Sequence, residues 1–233
     1  MKTNPQQVKS QFLKHRLKNI YKNIDRVKRK EPIKLLAVTK THSQEKVQEA
    51  LKLGVEYFGE NKVQEAEKKF FNKPKNIELH LIGHLQKNKI KKALKIFDVI
   101  QTVDTLELAE KINHHANNDN KIQRIYCQIN IGADPNKFGF NKFEALDKIN
   151  KIKNLNNITI EGIMTILPLE LSIKENEELY NQTNNVYKKT KEICPTCVEL
   201  SMGMSGDYET AISCGATIVR IGTGLFGKRW FKP

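Results

Sequence analysis

Short apolar runs alternate with helix-periodic stretches from residue 33 almost to the end of this chain, and that alternation limits the possible fold more than any other feature. The runs are Ile33 to Thr39, Tyr57 to Gly59, Leu79 to Ile82, Val99 to Thr102, Arg124 to Ile131, Ile158 to Met164, Val198 to Ser201 and Ile218 to Ile221. Brief apolar runs bounded by turn residues suit strands buried on both faces, as in parallel sheets. Between them, Val47, Ala50 and Leu51 predict a helix stopped by Gly54, and Ala145 and Ile149 lie four apart on another. Asp104 reads as an N-cap with Glu107 three residues on, and the polar stretch from 173 to 192 reads as a long helix. Eight β/α units in about 200 residues predict an α/β fold, a closed (β/α)8 TIM barrel. An open doubly wound sheet is the alternative, but no Gly-x-Gly-x-x-Gly follows the first strand, where a dinucleotide site needs it.

A chain of 233 residues fits one such barrel, so a single domain over 1–233 is expected. Ahead of the first strand, Val8, Phe12, Leu17, Ile20, Ile24 and Val27 recur every three to five positions and predict an amphipathic helix over about 6–29. No run of 18 apolar residues occurs and the start has no apolar signal region, so a cytoplasmic protein with no membrane association is expected. The net charge of +14 favours polyanions, yet the lysines are spread along the whole chain. In the densest run, Lys87 to Lys92, the apolar partners Ile90, Ala93, Leu94 and Phe97 leave the lysines on a solvated helix face. No specific nucleic-acid binding is expected, since no aromatic-rich basic motif accompanies the charge. Cys194-Pro195-Thr196-Cys197 resembles a redox or metal motif, but it has no second cysteine pair and no histidine at finger spacing, which favours inert thiols.

The chemistry-bearing residues fall at predicted strand ends. Lys40 ends the first apolar run and places an amine where that strand opens into a site. A lysine with a pKa of about 10.4 is protonated at neutral pH and becomes a nucleophile only where its surroundings favour the neutral amine. After the seventh and eighth strands come Ser201-Met202-Gly203-Met204-Ser205-Gly206-Asp207 and Arg220-Ile221-Gly222-Thr223-Gly224. Barrels commonly hold phosphate in these two loops, through backbone N–H groups and hydroxyls that glycines allow to approach closely. An amine and a phosphate cradle at one mouth suggest a bound aldehyde phosphate.

These residues resemble those of a known family, the pyridoxal phosphate homeostasis proteins or YggS/PROSC family, which are similar to the N-terminal barrel domain of alanine racemase (PLP fold type III). The matching segments are Leu36 to Thr41, Phe58 to Glu65, His80 to Lys89, Glu161 to Met164, Leu200 to Ser205 and Val219 to Gly227. The resemblance implies pyridoxal 5'-phosphate (PLP) as cofactor, with Lys40 forming the internal aldimine, a Schiff base. It implies that Ser205, Gly222 and Thr223, beside Met204, hold the phosphate, that Arg220 faces the pyridine nitrogen, and that Asn61 is a polar neighbour. His80 and His84 are candidates either for a cofactor role or for structural positions, and no carboxylate is spaced to complete a metal site with them. Two departures stand out: Lys137-Phe138-Gly139 replaces a lysine, small residue, glycine pattern, and His42 stands where a second lysine is frequent.

Racemisation needs acid–base groups on both faces of the substrate, and racemases of the related fold take one from a tyrosine on a second domain. This sequence ends at Pro233 without such a domain, and nothing in it favours Tyr57 or Tyr208 as a substitute. The expectation is therefore a non-enzymatic protein of intracellular PLP homeostasis that buffers or delivers the cofactor. A PLP-dependent amino-acid racemase is the alternative. PLP-dependent apoenzymes are the possible partners, and a monomer is expected by resemblance.

Overall fold

A computed structural model describes residues 5–27 and 31–228. Nine strands form one sheet: β1 (Lys34–Val38), β2 (Tyr57–Glu60), β3 (Glu78–Leu81), β4 (Val99–Val103), β5 (Gln123–Asn130), β6 (Phe140–Asn141), β7 (Ile158–Thr165), β8 (Glu199–Ser201) and β9 (Ile218–Ile221). Apart from the two-residue β6, which pairs only with the end of β5, they close into an eight-stranded parallel barrel. Closure comes from β9 pairing with β1, Lys34 opposite Ile218. The eight expected strands all form, each within two residues of its expected bounds. The sequence reading did not anticipate β6, because two residues carry no periodicity.

Alternate residues sort to two sides. Leu35, Ala37, Phe58, Leu79, Ile125, Ile163 and Val219 join the large core between the strands and the surrounding helices. Leu36, Val38, Ile82, Val99, Tyr126, Met164 and Ile218 form a second apolar cluster inside the barrel. Gly59 makes room in that interior, since a Cβ there would lie 2.3 Å from Leu36 Cδ2 and 3.0 Å from Ile82 Cδ1.

The helices between strands are α2 (Gln44–Lys52), α3 (Val63–Lys69), α4 (Ile90–Ile96), α5 (Leu106–Asn118), α6 (Ala145–Ile152), α7 (Ile173–Ile193) and α8 (Tyr208–Ser213), with α9 (Thr223–Phe226) after β9. In α4, Ile90, Ala93 and Leu94 are buried, with Phe97 just beyond, and the lysines stay outside as expected. A capping box starts α7: Ser172 Oγ accepts from Glu175 N, and Glu175 Oε2 accepts from Ser172 N. The expected cap of α5 is corrected. Thr105, not Asp104, is the N-cap and accepts from Leu108 N at 3.2 Å, while Glu107 pairs with Lys87 and Lys111 instead of reaching back. Asp104 is turned away to His84, whose Nδ1 lies 3.1 Å from its Oδ2, and is not available to the helix amides.

The four-residue α9 is too short to cover β9, and α1 (Pro5–Arg26), ahead of β1, covers that flank. Leu13, Leu17, Ile20 and Ile24 bury one stripe of α1, and Asn23 Nδ2 donates to Tyr208 Oη at 3.0 Å and Glu209 Oε1 at 3.1 Å. Phe12, expected on that stripe, is 61% exposed, because Leu13 lies four residues before Leu17 and takes the inward place. The expected end of this helix at 28–29 lies outside the described residues. Gly227, at φ +85, leaves room for Arg16, whose Nη1 would stand 2.6 Å from a Cβ there.

Truncating α1's buried stripe leaves a cavity with no other helix to fill it. Leu17→Ala is expected to cost about 2–4 kcal/mol, measured as a lower urea midpoint with an unchanged slope. Phe12→Ala should shift that midpoint little.

Candidate functional site

Parallel strands bring all their carboxyl ends to one rim. Lys40 stands there two residues beyond Val38, on the parity that carries Leu36 and Val38 into the barrel, and it is half-buried. Asn61 follows β2, His84 follows β3 and Asp104 follows β4 on the same rim. Asn61 packs backbone to backbone with the next loop, since a Cβ at Gly83 would lie 2.2 Å from Asn61 O.

The backbone on both sides of Lys40 is clasped from behind. Lys69 Nζ donates to Thr39 O at 2.7 Å, to Glu60 Oε1 at 3.0 Å and to Glu65 Oε1 at 2.6 Å. Glu65 Oε1 in turn accepts from Thr41 N at 2.5 Å, and Thr39 Oγ1 donates to Glu60 Oε1 at 2.6 Å. Thr41 sits at φ 65, a left-handed turn that swings the chain off β1 immediately after Lys40. Burial raises the Glu60 carboxyl above its ordinary pKa, opposed by the Thr39 hydroxyl and Lys69, and its Oε2 is buried without a hydrogen-bond partner. No sequence signal separates Lys69 from the chain's many other lysines; its role follows only from tertiary contact.

The two glycine turns meet. Gly224 N donates to Ser205 Oγ at 3.1 Å, which joins the loop after β9 to the loop after β8 and leaves the Ser205 proton free to donate elsewhere. A Cβ at Gly224 would stand 3.3 Å from Ser205 Oγ and 3.2 Å from Ile221 Cγ2. Thr223 is exposed beside buried Gly222. The first turn is fixed by Asp207, whose Oδ1 accepts from Met204 N at 2.6 Å and whose Oδ2 accepts from Tyr180 Oη at 2.8 Å. Gly203, at φ +91, lets its carbonyl reach Arg220 N at 3.0 Å.

Arg220 points inward from β9 and is 4% exposed. Its Nη1 donates to Ser201 Oγ at 2.9 Å and its Nη2 to Thr165 O at 2.7 Å. Burial pulls its pKa down, Tyr180 and Asp207 oppose this, and a guanidinium so placed keeps its proton.

The other singled-out residues are placed as follows. His80 is buried inside the barrel, where burial lowers its pKa against the pull of Glu78. His84 stacks on Phe138, with centroids 3.8 Å apart, and bonds Asp104 at 3.1 Å. The loop carrying Phe138 is tied across the mouth by Lys137 Nζ donating to Leu167 O. His42 is buried 5.0 Å from the Phe226 ring. Tyr57 starts β2, at the barrel end opposite Lys40, and the Tyr208 hydroxyl accepts from Asn23 on α1. Cys194 and Cys197 are buried free thiols, and burial, with Cys194 nearby, pushes Cys197 up to about 12. Among the described residues no group of three or more His, Cys, Asp or Glu is placed to hold a metal, and no helix is long and apolar enough to cross a membrane.

Residues 16–229 match the family described as alanine racemase, N-terminal domain. The pyridoxal phosphate homeostasis protein of Pasteurella multocida is 37% identical over 217 residues, 91% of this chain and 93% of its own. PipY of Synechococcus elongatus, solved with PLP bound, is 32% identical with a TM-score of 0.82, covering 92% of this chain and 100% of that one. Alanine racemase of Clostridium difficile shares the barrel at 20% identity and a TM-score of 0.78, with this chain spanning 61% of it.

The clasp behind Lys40 gives the protein an unusual pH signature once it is broken. Lys69→Met removes the cation that lowers the Glu60 pKa, so the folded value rises further above the unfolded one. Loss of the bond to Thr39 O costs the variant stability at every pH; the Glu60 cost is absent below about pH 4, where Glu60 is protonated in both states, and grows as pH rises through the folded value. Urea unfolding near neutral pH should show a loss of about 3–5 kcal/mol, mostly recovered by adding Glu60→Gln.

Proposed function

The chain belongs to the family of pyridoxal phosphate homeostasis proteins, and we propose that its barrel mouth binds pyridoxal 5'-phosphate reversibly at Lys40, to buffer the cofactor or deliver it to apoenzymes without turning over a substrate. What carries this reading is the meeting of two glycine turns, through Gly224 N and Ser205 Oγ, on the rim that also carries Lys40. When bound, the cofactor would supply an aldehyde carbon able to condense with the Lys40 amine, with loss of water, and a phosphate ester carrying negative charge.

The residues present fit that group. Ser205 accepts from Gly224, which leaves its own proton available to donate, and Thr223 adds a second hydroxyl on an exposed turn. Gly222 and Gly224 keep the turn free of side chains where an anion would approach, and a Cβ at Gly224 would crowd Ser205. Met204 and Asn61 are half-buried at the same rim, after β8 and β2. Lys69, Glu60 and Glu65 hold the Lys40 backbone in place. Arg220 would offer a permanent donor to the pyridine nitrogen and disfavour a proton there, which would weaken the ring as an electron sink for carbanion chemistry. The finer reading is of a cytoplasmic monomer whose partners are PLP-dependent apoenzymes.

Loading the protein with PLP should give an absorbance band abolished by borohydride, and peptide mapping should place the reduced adduct on the peptide containing Lys40. Lys40→Ala should give neither. Ser205→Ala should weaken PLP binding about 10- to 100-fold, the cost of losing one hydrogen bond to a charged group. Conversion of single L-amino acids to D-isomers that disappears in Lys40→Ala would overturn the carrier reading in favour of racemisation.

A further inference from the structure

Inside the barrel, five side chains from four strands are joined end to end between Arg220 and the amino-terminal end. Arg220 Nη1 lies 2.9 Å from Ser201 Oγ, Ser201 Oγ 2.7 Å from Gln101 Oε1, Gln101 Nε2 2.7 Å from His80 Nδ1, and His80 Nε2 2.7 Å from Glu78 Oε1. Gln101, His80 and Ser201 are completely buried, so water does not complete their bonding. Beyond Glu78 the chain reaches an ionic layer: Arg124 bonds Glu78 at 2.8 Å and Glu161 at 3.4 Å, and Lys34 bonds Glu199 at 2.6 Å.

Only one proton arrangement satisfies every member. A guanidinium can only donate, so Ser201 Oγ accepts from Arg220 and turns its own proton to Gln101. That assigns the Gln101 carbonyl to Ser201 and its amide N–H to His80 Nδ1, which must be a bare acceptor. The imidazole proton then lies on Nε2 and goes to the Glu78 carboxylate. With the Gln101 amide flipped, the Ser201 proton loses its acceptor and His80 Nε2 faces a carboxylate with no proton between them, unless a buried imidazolium forms. Burial opposes that imidazolium. Every donor therefore points the same way, from the fixed cation to the carboxylate, and such aligned chains reinforce each link.

We propose that Gln101 is the positioning residue for Arg220: by fixing the Ser201 hydroxyl it fixes the guanidinium, and with it the donor offered to a cofactor ring at the mouth. Its effect on a bound cofactor rests on the PLP-binding reading, but the bonding chain does not. Gln101→Met keeps the length of the side chain and removes both links. The Ser201 hydroxyl can then turn, and Arg220 keeps only Thr165 O as a fixed partner.

Two measurements test this. In cofactor-free protein, 15N NMR of the imidazole should show His80 neutral with its proton on Nε2; a proton on Nδ1, or an imidazolium at neutral pH, would overturn the chain. In PLP-loaded protein, Gln101→Met and Ser201→Ala should both move the borohydride-sensitive band and speed PLP release about 2- to 10-fold, the scale of one buried link. A lower melting temperature with the wild-type band and release rate would reduce Gln101 to a packing residue and sink the proposal. Should Gln101→Met not fold, Ser201→Ala decides by the same two readings. If wild type itself shows no such band, the PLP reading fails, while the His80 measurement still judges the chain.

Discussion

Parallel pairing around a closed ring leaves each strand residue two destinations, the helical shell or the barrel interior, and sends every strand's last residues to one rim. The chemistry of this protein follows from that constraint. Lys40, Asn61, Ser205 and Gly222 are distant in sequence yet must gather at the same end, because each follows a strand of one ring. The opposite rim collects strand beginnings, and there Lys34, Glu78, Arg124 and Glu199 form ion pairs. The interior between the rims is divided: Leu36, Val38, Tyr126 and Met164 make it apolar on one part, and Arg220, Ser201, Gln101 and His80 make it polar on another.

Charge is buried by two different means. Behind Lys40, opposite charges meet directly, Lys69 against Glu60 and Glu65, in contact with the backbone they hold. Such pairs gain little net stability against their desolvation, but losing one member is costly, so they suit a place where geometry must not drift. Arg220 has no carboxylate in direct contact among its hydrogen-bond partners; neutral oxygens of Ser201 and Thr165 take its protons. Its positive charge is therefore left to act at the mouth rather than cancelled inside.

The barrel was legible because buried parallel strands appear as uninterrupted apolar runs, and all eight appeared where those runs lie. The glycine turns were legible for the same reason, as short motifs at strand ends. What the sequence hid are residues whose meaning depends on distant partners. Glu78 lies two residues before His80 on the same face of β3, but nothing in the sequence ties that pair to Gln101 on β4 or to Ser201 on β8. Asp104 and Thr105 are both good caps, and local pattern cannot foresee that His84 claims the first. Phe138, a departure from the family pattern, becomes intelligible only once it is seen stacked on His84.

The outer wall is completed by α1, which precedes the first strand but packs beside the last helix, with Arg16 held at Gly227 and Asn23 at Tyr208. During synthesis this helix leaves the ribosome before any strand, and its packing against α8 and α9 must wait until β9 has been made. At about 5–20 residues per second, that interval is on the order of ten seconds or longer. Growing chains thus carry a hydrophobic helix whose docking site on α8 and α9 is missing for most of their translation.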